Sequence, residues 1–399
     1  MASVCFYFQV HQPPRLRRYS VFETSTHYFD DHRNNEILRK VATKCYLPAT
    51  QLLRQLINKH DGEFRIAFSL SGCVVEQCRQ SCPEVIDSFC SLADTGCCEF
   101  LAETYYHSLA FLYSRDEFRQ QVEMHSHMIE DLFGQKPSVF RNTELIYNNE
   151  MASYIASLDR YIGMLAEGTD FNLANRSPNQ LYTPPGRPEL TLMLKNYRLS
   201  DDIAFRFSNR GWKEWPLTAE KFANWVNEIN GNGHVCNLFM DFETFGEHQW
   251  QSTGIFGFLE QLPGCVLANG DDFKTPSECI ETYEPTGEYD VPHMTSWADT
   301  ERDLSAWLGN AMQSSALHEL YRMEQRVKET NDEQLIHNWR LLTTSDHFYY
   351  MCTKYFDDAV VHRYFNPYES PYDSYINFMN VLDNMRSRVE INHAATTHT

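Results

Sequence analysis

The chain has 399 residues, of which 42% are hydrophobic and 14% aromatic, and its formal net charge is −20. A chain of this length and hydrophobicity is long enough for one large folded domain and a smaller one. The negative charge disfavours nucleic acid and anionic membrane surfaces as partners, because both repel an acidic protein. A neutral ligand meets no such barrier.

The N-terminal segment predicts a cytoplasmic protein rather than an exported one. Its arginines, Arg15, Arg17 and Arg18, follow a short apolar run, whereas a signal peptide carries its positive charges before that run. No stretch approaches the roughly 20 apolar residues that a membrane span needs. The twelve cysteines include no C-x-x-C pair, so we expect free thiols and no structural zinc site.

Apolar runs of strand length alternate with helical segments over the first two-thirds of the chain. The predicted strands, in chain order, are Val4–Val10, Phe64–Leu70, Glu99–Ala102, Ser138–Asn142, Tyr161–Ala166 and Cys236–Met240, and the clearest helices are Leu47–Ile57 and Phe118–Phe133. This alternation predicts an α/β fold with a parallel sheet, either open or closed into a barrel. Functional residues are expected at the C-terminal ends of such strands.

Two segments rich in turn-forming residues divide the rest of the chain. Ser177–Pro188 is predicted to be a loop, and Gly270–Pro292 a connection. Beyond it, apolar residues recur at helical spacing, as at Leu304, Trp307 and Leu308, which predicts a helical region packed on the α/β part. Among the tryptophans, Trp297, Trp307 and Trp339 are interpreted as core residues.

Acidic residues follow the apolar strand Cys236–Met240. In Phe239–Trp250 (FMDFETFGEHQW), Asp241 ends the strand, and Glu243, Glu247 and His248 follow. Ionisable groups at the end of a buried strand are costly unless a ligand or partner uses them, which favours a functional site. The alternative is a solvated loop with a chance cluster of acids.

A second apolar strand leads into Glu144. In Ser138–Asn149 (SVFRNTELIYNN), Arg141 or another nearby donor could keep this carboxyl ionised. The alternative is a helix N-terminus at which Thr143 is the cap and the helix dipole favours Glu144. Two carboxyls at different strand ends of one sheet suit glycoside hydrolysis, which needs one proton donor and one nucleophile or base.

Five segments of the chain carry a family resemblance. They are HQP at His11–Pro13, GCCEFLAETYYH at Gly96–His107, FRNTEL at Phe140–Leu145, MDFETFGEHQW at Met240–Trp250 and TSDHFYYM at Thr344–Met351. They resemble the five signature regions of glycoside hydrolase family 57, and they occur in that family's order. The longer forms of the third and fourth segments look like the α-amylase subgroup.

The resemblance implies an incomplete (β/α)7 barrel in residues 1–290, followed by a C-terminal helical region in residues 291–399. It also implies a retaining mechanism on starch, glycogen or maltodextrins, without a cofactor or a catalytic metal. Glu144 falls at the nucleophile position and Asp241 at the general acid/base position. The expected substrate-binding residues are His11, Glu99, His107, Glu243, Asp346 and His347. Because Asp241 needs a raised pKa to donate a proton, nearby Glu243 is the expected source of like charge.

Three alternatives stay open at this point. The same covalent chemistry could transfer the sugar to another sugar hydroxyl, as a glucanotransferase does. A polysaccharide deacetylase would instead use His11, His107, Asp241 and His248 as metal ligands, although they lack the usual short ligand spacing. A catalytically idle glycan-binding protein is the third alternative.

Overall fold

A computed structural model describes residues 1–354 and 366–396. Nine strands form within these residues: β1 (Ser3–Val10), β2 (Ile66–Leu70), β3 (Cys98–Phe100), β4 (Val139–Arg141), β5 (Gly163–Glu167), β6 (Leu181–Tyr182), β7 (Thr191–Lys195), β8 (Val235–Asp241) and β9 (Asp272–Phe273). The six predicted strands correspond to β1, β2, β3, β4, β5 and β8. Their existence is therefore confirmed, although their ends shift by up to about two residues, as is usual for strand boundaries.

The strands form two sheets. In the first the order is β3-β2-β1-β8 with β9 also paired to β1, and in the second it is β4-β5-β7-β6. All pairs are parallel except β6 with β7. A parallel bridge between Ala102 and Phe140 links the β3 side of the first sheet to β4. At the other side, the Asn196 amide N–H donates to the Asn237 carbonyl of β8 over 2.9 Å, just beyond the end of β7.

Helices follow most of the strands. In the first 290 residues they are Asp31–Val41, Leu47–Lys59, Gly72–Ser81, Pro83–Ala93, Ala110–Tyr113, Arg115–Phe133, Asn149–Ala156, Asp170–Leu173, Tyr197–Asp201, Ala219–Asn227, Ile255–Ala268 and Pro276–Thr282. Both predicted helices are present as Leu47–Lys59 and Arg115–Phe133. The second begins where Ser114 accepts a hydrogen bond from the Glu117 amide, and it ends at Gly134, whose φ of 67° suits glycine.

The chain beyond residue 290 is helical in the described residues. Its helices are Ser305–Leu308, Ala311–Arg322, Glu324–Glu329, Glu333–Leu341, Ser345–Tyr349 and Pro371–Thr396. The chain therefore has a mixed α/β fold rich in helices. No helix among the described residues combines the length and the apolar character needed to cross a bilayer.

Strand β1 is buried along its whole length, which is typical of a parallel strand covered on both faces. Phe6 and Phe8 belong to a large core that includes residues of the surrounding helices. Cys5 and Tyr7 point the other way and join a smaller cluster with residues of the other strands, such as Phe239 of β8. The strands therefore separate two apolar layers.

The two segments predicted to lack regular structure contain more than expected. The predicted loop Ser177–Pro188 includes β6. The predicted connection Gly270–Pro292 includes β9 and the helix Pro276–Thr282. Interpreting this second segment as a simple connection was wrong, because Cys279 of that helix packs in the smaller apolar cluster beside the strands. Strand β7 was not predicted at all.

Candidate active site

A cavity of about 710 Å³ opens at the C-terminal ends of the parallel strands. β1 and β8 pair with Gln9 opposite Asp241, so both strands deliver polar residues to the same edge. The cavity is lined by His11, His107, Glu144, Asp241, Glu243 and Asp346, together with the aromatic residues Phe205, Trp250, Trp297, Trp307, Tyr349 and Tyr350. Two carboxyls predicted from distant parts of the chain, Glu144 and Asp241, thus face one cavity.

Glu144 lies in a strained turn directly after β4. The turn Thr143–Leu145 is a single 3₁₀ turn, in which Glu144 has φ 57° and Leu145 has φ 50°. Such left-handed backbone at non-glycine residues costs on the order of 1–3 kcal/mol and is concentrated at functional sites. The interpretation of Thr143 as a helix cap was wrong, because its hydroxyl bonds to the Thr104 hydroxyl at 2.8 Å instead.

His107 holds Glu144 in its ionised form. Burial alone would raise the pKa of Glu144, but the hydrogen bond and the charge of His107 lower it below its usual value, with a smaller contribution from Arg141. The distance from His107 Nε2 to Glu144 Oε1 is 3.4 Å. The sequence analysis expected Arg141 or another nearby donor to keep Glu144 ionised, and the main donor is His107.

Glu103 keeps His107 charged. Its Oε2 lies 2.9 Å from His107 Nδ1, and its Oε1 accepts hydrogen bonds from Gln9 and Ser69 at 3.0 and 2.9 Å. Against the effect of burial, this partnership with Glu103 and Glu144 raises the pKa of His107 to about 9, while that of Glu103 falls to about 2. The sequence analysis missed Glu103, although its spacing of four residues from His107 was a usable signal.

Asp241 has the opposite electrostatic environment. It ends β8, and within the described residues no hydrogen bond holds its carboxyl. Burial, and then the negative charge of Glu144, raise its pKa to about 6, although Arg141 and His107 oppose the rise. Of these two carboxyls, Glu144 therefore favours ionisation and Asp241 the neutral form, a pattern that separates a nucleophile from an acid.

Glu243 is not the source of like charge that the sequence suggested. Burial, and then the charge of Asp241, raise the pKa of Glu243 itself to about 8, so it is neutral when Asp241 titrates. Its Oε1 accepts hydrogen bonds from the Tyr46 hydroxyl and, over 3.3 Å, from Gln12 Nε2. The like charge acting on Asp241 comes from Glu144.

His11 and Asp346 form a second pair on the cavity wall. His11 Nε2 lies 3.0 Å from Asp346 Oδ2, and His11 Nδ1 lies 2.6 Å from the Ser71 hydroxyl. The His11 ring also stacks on His107 with 4.1 Å between centroids. Burial and the neighbouring His107 lower the pKa of His11, whereas the histidines around Asp346 outweigh burial and lower its pKa to about 2. The pair therefore combines a neutral imidazole with an ionised carboxylate.

Two predicted substrate-binding residues do not reach the cavity. Glu99 lies in β3, where its Oε2 accepts hydrogen bonds from the Ser277 amide and hydroxyl at 2.9 Å. It pairs with Ala67 of β2 inside the sheet and is not among the residues that line the cavity. His347 is 1% exposed, and its Nε2 bonds to the Leu341 carbonyl at 3.2 Å. It belongs to the core, unlike its neighbour Asp346.

Trp297 is a site residue that the sequence analysis assigned to the core. Its indole Nε1 donates to Glu144 Oε2 over 2.8 Å, and its backbone N–H donates to the Glu144 carbonyl over 3.1 Å. The ring also covers Arg141 and Lys195, with 4.8 and 5.3 Å from the cationic groups to the centroid. Trp297 therefore fixes both the backbone and the carboxylate of Glu144. Trp339, by contrast, is fully buried, as expected.

The residues that a deacetylase would use do not form a metal site. No group of three or more histidine, cysteine, aspartate and glutamate side chains within residues 1–354 and 366–396 has an arrangement that could hold a metal ion. The His11 and His107 nitrogens instead pair with Ser71, Asp346, Glu103 and Glu144. The donor set does not fit the metal centre of that alternative.

The chain is similar in sequence to the proteins of a known family. The sequence profile of glycosyl hydrolase family 57 matches residues 5–292, which is most of the chain. The chain belongs to this family. The chain is also similar in sequence to a protein of Methanocaldococcus jannaschii that is provisionally named an alpha-amylase. The two are 42% identical over 395 residues, which cover 95% of this chain and 83% of the relative.

Solved structures support the family 57 fold. The 4-alpha-glucanotransferase of Thermococcus litoralis matches with a TM-score of 0.67 at 14% identity over 87% of this chain, which spans 56% of the glucanotransferase. A family 57 branching enzyme of Pyrococcus horikoshii gives 0.66 at 14% identity, covering 96% and 88% of the two chains. An alpha-amylase of Thermotoga maritima gives 0.59 at 14% identity, covering 97% and 94%. These identities show a shared fold alone.

Proposed function

We propose that this family 57 protein is a retaining glycosidase that cleaves α-glucosidic bonds of starch, glycogen or maltodextrins. The observation that carries the proposal is the pair of carboxyls in one cavity with opposite pKa shifts, lowered for Glu144 and raised to about 6 for Asp241. A retaining glycosidase needs an ionised nucleophile and a protonated acid at the same time. Near pH 6 the two side chains supply both forms.

The mechanism proceeds in two displacements. Asp241 donates its proton to the glycosidic oxygen while a Glu144 oxygen attacks C1. The bond from C1 to the glycosidic oxygen breaks, the leaving sugar departs with the proton, and a glycosyl ester of Glu144 forms. The ester removes the Glu144 charge, which had helped to raise the pKa of Asp241. The pKa of Asp241 therefore falls, so the carboxylate that has given up its proton stays ionised and is available as the base. It takes a proton from water, whose oxygen attacks C1 and releases Glu144.

The remaining polar groups of the cavity would bind the sugar. His11, Asp346 and neutral Glu243 can exchange hydrogen bonds with hydroxyls, and the Trp297 ring offers a flat apolar face. Glu103 and His107 act on Glu144 rather than on the substrate.

We also propose that the strands of residues 1–290 form an incomplete (β/α)7 barrel, with the helical region 291–399 beside it. The twelve free cysteines suit a cytoplasmic site of action.

Transfer to a second sugar is the other function that an observation favours. Phe205 and Trp250 line the cavity yet are 61% and 59% exposed, so their rings stand at its mouth. Aromatic faces at that position could hold an acceptor sugar and let it compete with water for the glycosyl ester. The enzyme would then be a 4-α-glucanotransferase with the same Glu144 and Asp241 chemistry.

The test is incubation with maltoheptaose followed by chromatography of the products. Shorter products alone indicate hydrolysis, and longer products as well indicate transfer. Glu144→Ala and Asp241→Ala should each lose activity by several orders of magnitude, whereas Glu150→Ala is the matched control, because Glu150 is exposed and its ion pair lies on the surface. On an aryl glucoside, whose leaving group needs no proton, Asp241→Ala should keep more activity than Glu144→Ala. Turnover near wild type in either variant would refute the assignment.

A further inference from the structure

A second cavity of about 450 Å³ lies apart from the active site. Three helices border it, Asp31–Val41, Gly72–Ser81 and Glu333–Leu341, and its lining shares no residue with the active-site cavity. Its volume falls within the range of about 300–1,000 Å³ that is usual for small-molecule sites. The helix Glu333–Leu341 comes from the C-terminal helical region, so both parts of the chain build this cavity.

The lining is suited to a neutral ligand with many hydroxyls. Six amide side chains line the cavity, namely Asn34, Asn35, Gln77, Gln80, Gln334 and Asn338. Some of these amides bond within the protein, as Gln334 Nε2 does to Asn338 Oδ1 over 3.0 Å and both ends of the Asn34 amide do to the Arg15 backbone. The amide atoms that remain include donors and acceptors, which match a hydroxyl that donates and accepts. No lysine or arginine of the described chain lines the cavity. Its two histidines, His27 and His337, lie beside the carboxylates of Asp31 and Glu76 at 3.4 and 3.6 Å, so the wall disfavours a phosphate or carboxylate ligand.

Polar groups at the cavity wall are not fully satisfied by the protein. The Gln77 Oε1 atom is buried and has no hydrogen-bond partner in the described residues. A buried acceptor without a donor is destabilising, and a ligand hydroxyl that donates to it would offset this cost. Beside it, Glu76 accepts from the Tyr105 hydroxyl over 2.9 Å, and its second oxygen lies 3.6 Å from His337.

The helix Gly72–Ser81 borders the second cavity, and its hydrogen bonds reach residues that line the active-site cavity. At its N-terminus, Ser71 bonds to His11 of the active site. Along the helix, Gln77 Nε2 donates to the Gln12 carbonyl over 2.8 Å, and the Gln12 side chain bonds to Glu243. The second cavity is therefore close to the active site but is separated from it by the segment that follows β1.

We propose that this second cavity binds a malto-oligosaccharide segment and holds a long glucan chain on the enzyme away from the bond that is cleaved. The identity of the sugar rests on the proposed function, whereas the polyhydroxyl character of the ligand rests on the amide lining. Long glucans gain from a second attachment point because binding there raises the local concentration of chain ends and bonds near the active site. Short substrates gain nothing from it.

The first experiment measures maltotriose binding by titration calorimetry on the Glu144→Ala protein, which does not consume the sugar. We expect two sites. Adding Gln80→Trp, which fills the cavity from an exposed position, or Gln334→Leu, which removes an exposed amide, should leave one site. Gln325→Leu is the matched control, since this glutamine is exposed on the neighbouring helix Glu324–Glu329 and does not line the cavity. Melting temperatures check that each variant is folded.

The second experiment uses the otherwise wild-type enzyme. Gln80→Trp and Gln334→Leu should raise KM for soluble starch several-fold and leave kcat/KM for maltotriose unchanged, because neither residue touches the active-site cavity. An unchanged site count in both folded variants would overturn the proposal, as would equal effects on both substrates. A single site that Gln80→Trp abolishes would support the second cavity while showing that the active site does not bind this sugar. Failure of the proposed function is read separately, from maltoheptaose cleavage.

Discussion

The alkaline side of the pH profile tests the role of Asp241. Its carboxyl must be protonated to donate, and its pKa is about 6. One pH unit above that value about a tenth of the carboxyl remains protonated, and two units above it about a hundredth. We therefore expect kcat/KM on maltodextrins to fall about tenfold per pH unit between pH 7 and 8, since kcat/KM reports the groups of the free enzyme. Without the raised pKa, the fall would begin near pH 4.

Glu243→Gln separates the two possible sources of the raised pKa. Glutamine keeps the acceptor oxygen that Tyr46 and Gln12 use, and Glu243 is itself neutral near pH 6 because its pKa is about 8. The midpoint of the alkaline limb should therefore stay near pH 6, even if the rate falls. The assay is initial-rate kinetics from pH 4 to pH 9. A midpoint that drops toward pH 4 in this variant, or a wild-type rate that stays flat up to pH 8, would refute the reasoning.

Two further predictions concern the groups that hold Glu144. His107→Gln removes the cation beside this carboxylate, so the pKa of Glu144 rises and the acidic limb of the kcat/KM profile moves to higher pH; an unmoved limb would assign the ionisation to Arg141 instead. Trp297→Phe keeps a ring but loses the hydrogen bond to Glu144, and because such a bond to a charged group contributes about 1.5–3 kcal/mol, kcat should fall about tenfold to a hundredfold. Trp225→Phe, outside the cavity, is the control, and equal rates in both variants would contradict the assigned contact.

Most strand ends could be predicted from the sequence, because the residues that mark a strand end are next to each other in the chain. A run of apolar residues that stops at an acid, as at Asp241, marks both a strand and its exposed edge. Strand β7 was missed because its five residues follow a segment rich in proline, which the pattern assigned to a loop. This matters for the site, since Lys195 at the end of β7 lies against Trp297.

The position of a residue relative to the end of its strand was harder to predict than the strand itself. Glu99 and Glu103 stand four residues apart in one signature segment, but β3 ends at Phe100. Only Glu103 lies beyond the strand end, where the cavity forms, whereas Glu99 is held at the level of Ala67 inside the sheet. Neighbouring residues of a helix also point about 100° apart, so Asp346 lines the cavity while the His347 ring packs against Phe378 in the core.

Contacts from distant segments could not be predicted from local patterns. Trp297 lies in irregular structure between the strands and the final helices, and only the folded chain brings its indole to Glu144. The relation between Glu144 and Asp241 is of the same kind. Their pKa values diverge because His107 bonds directly to Glu144, whereas at Asp241 burial and the charge of Glu144 outweigh the more distant cations.

The different support given to the two carboxyls explains how one cavity can serve both displacements. Glu103, with a pKa of about 2, keeps His107 charged up to about pH 9, so the cation beside Glu144 does not change across the working range. Within residues 1–354 and 366–396 Asp241 has no such fixed partner, and its protonation therefore follows the charge of Glu144. Formation of the glycosyl ester removes that charge and lowers the pKa of Asp241 at the moment when a base is needed. A hydrogen bond that fixed Asp241 in either form would favour one displacement and hinder the other.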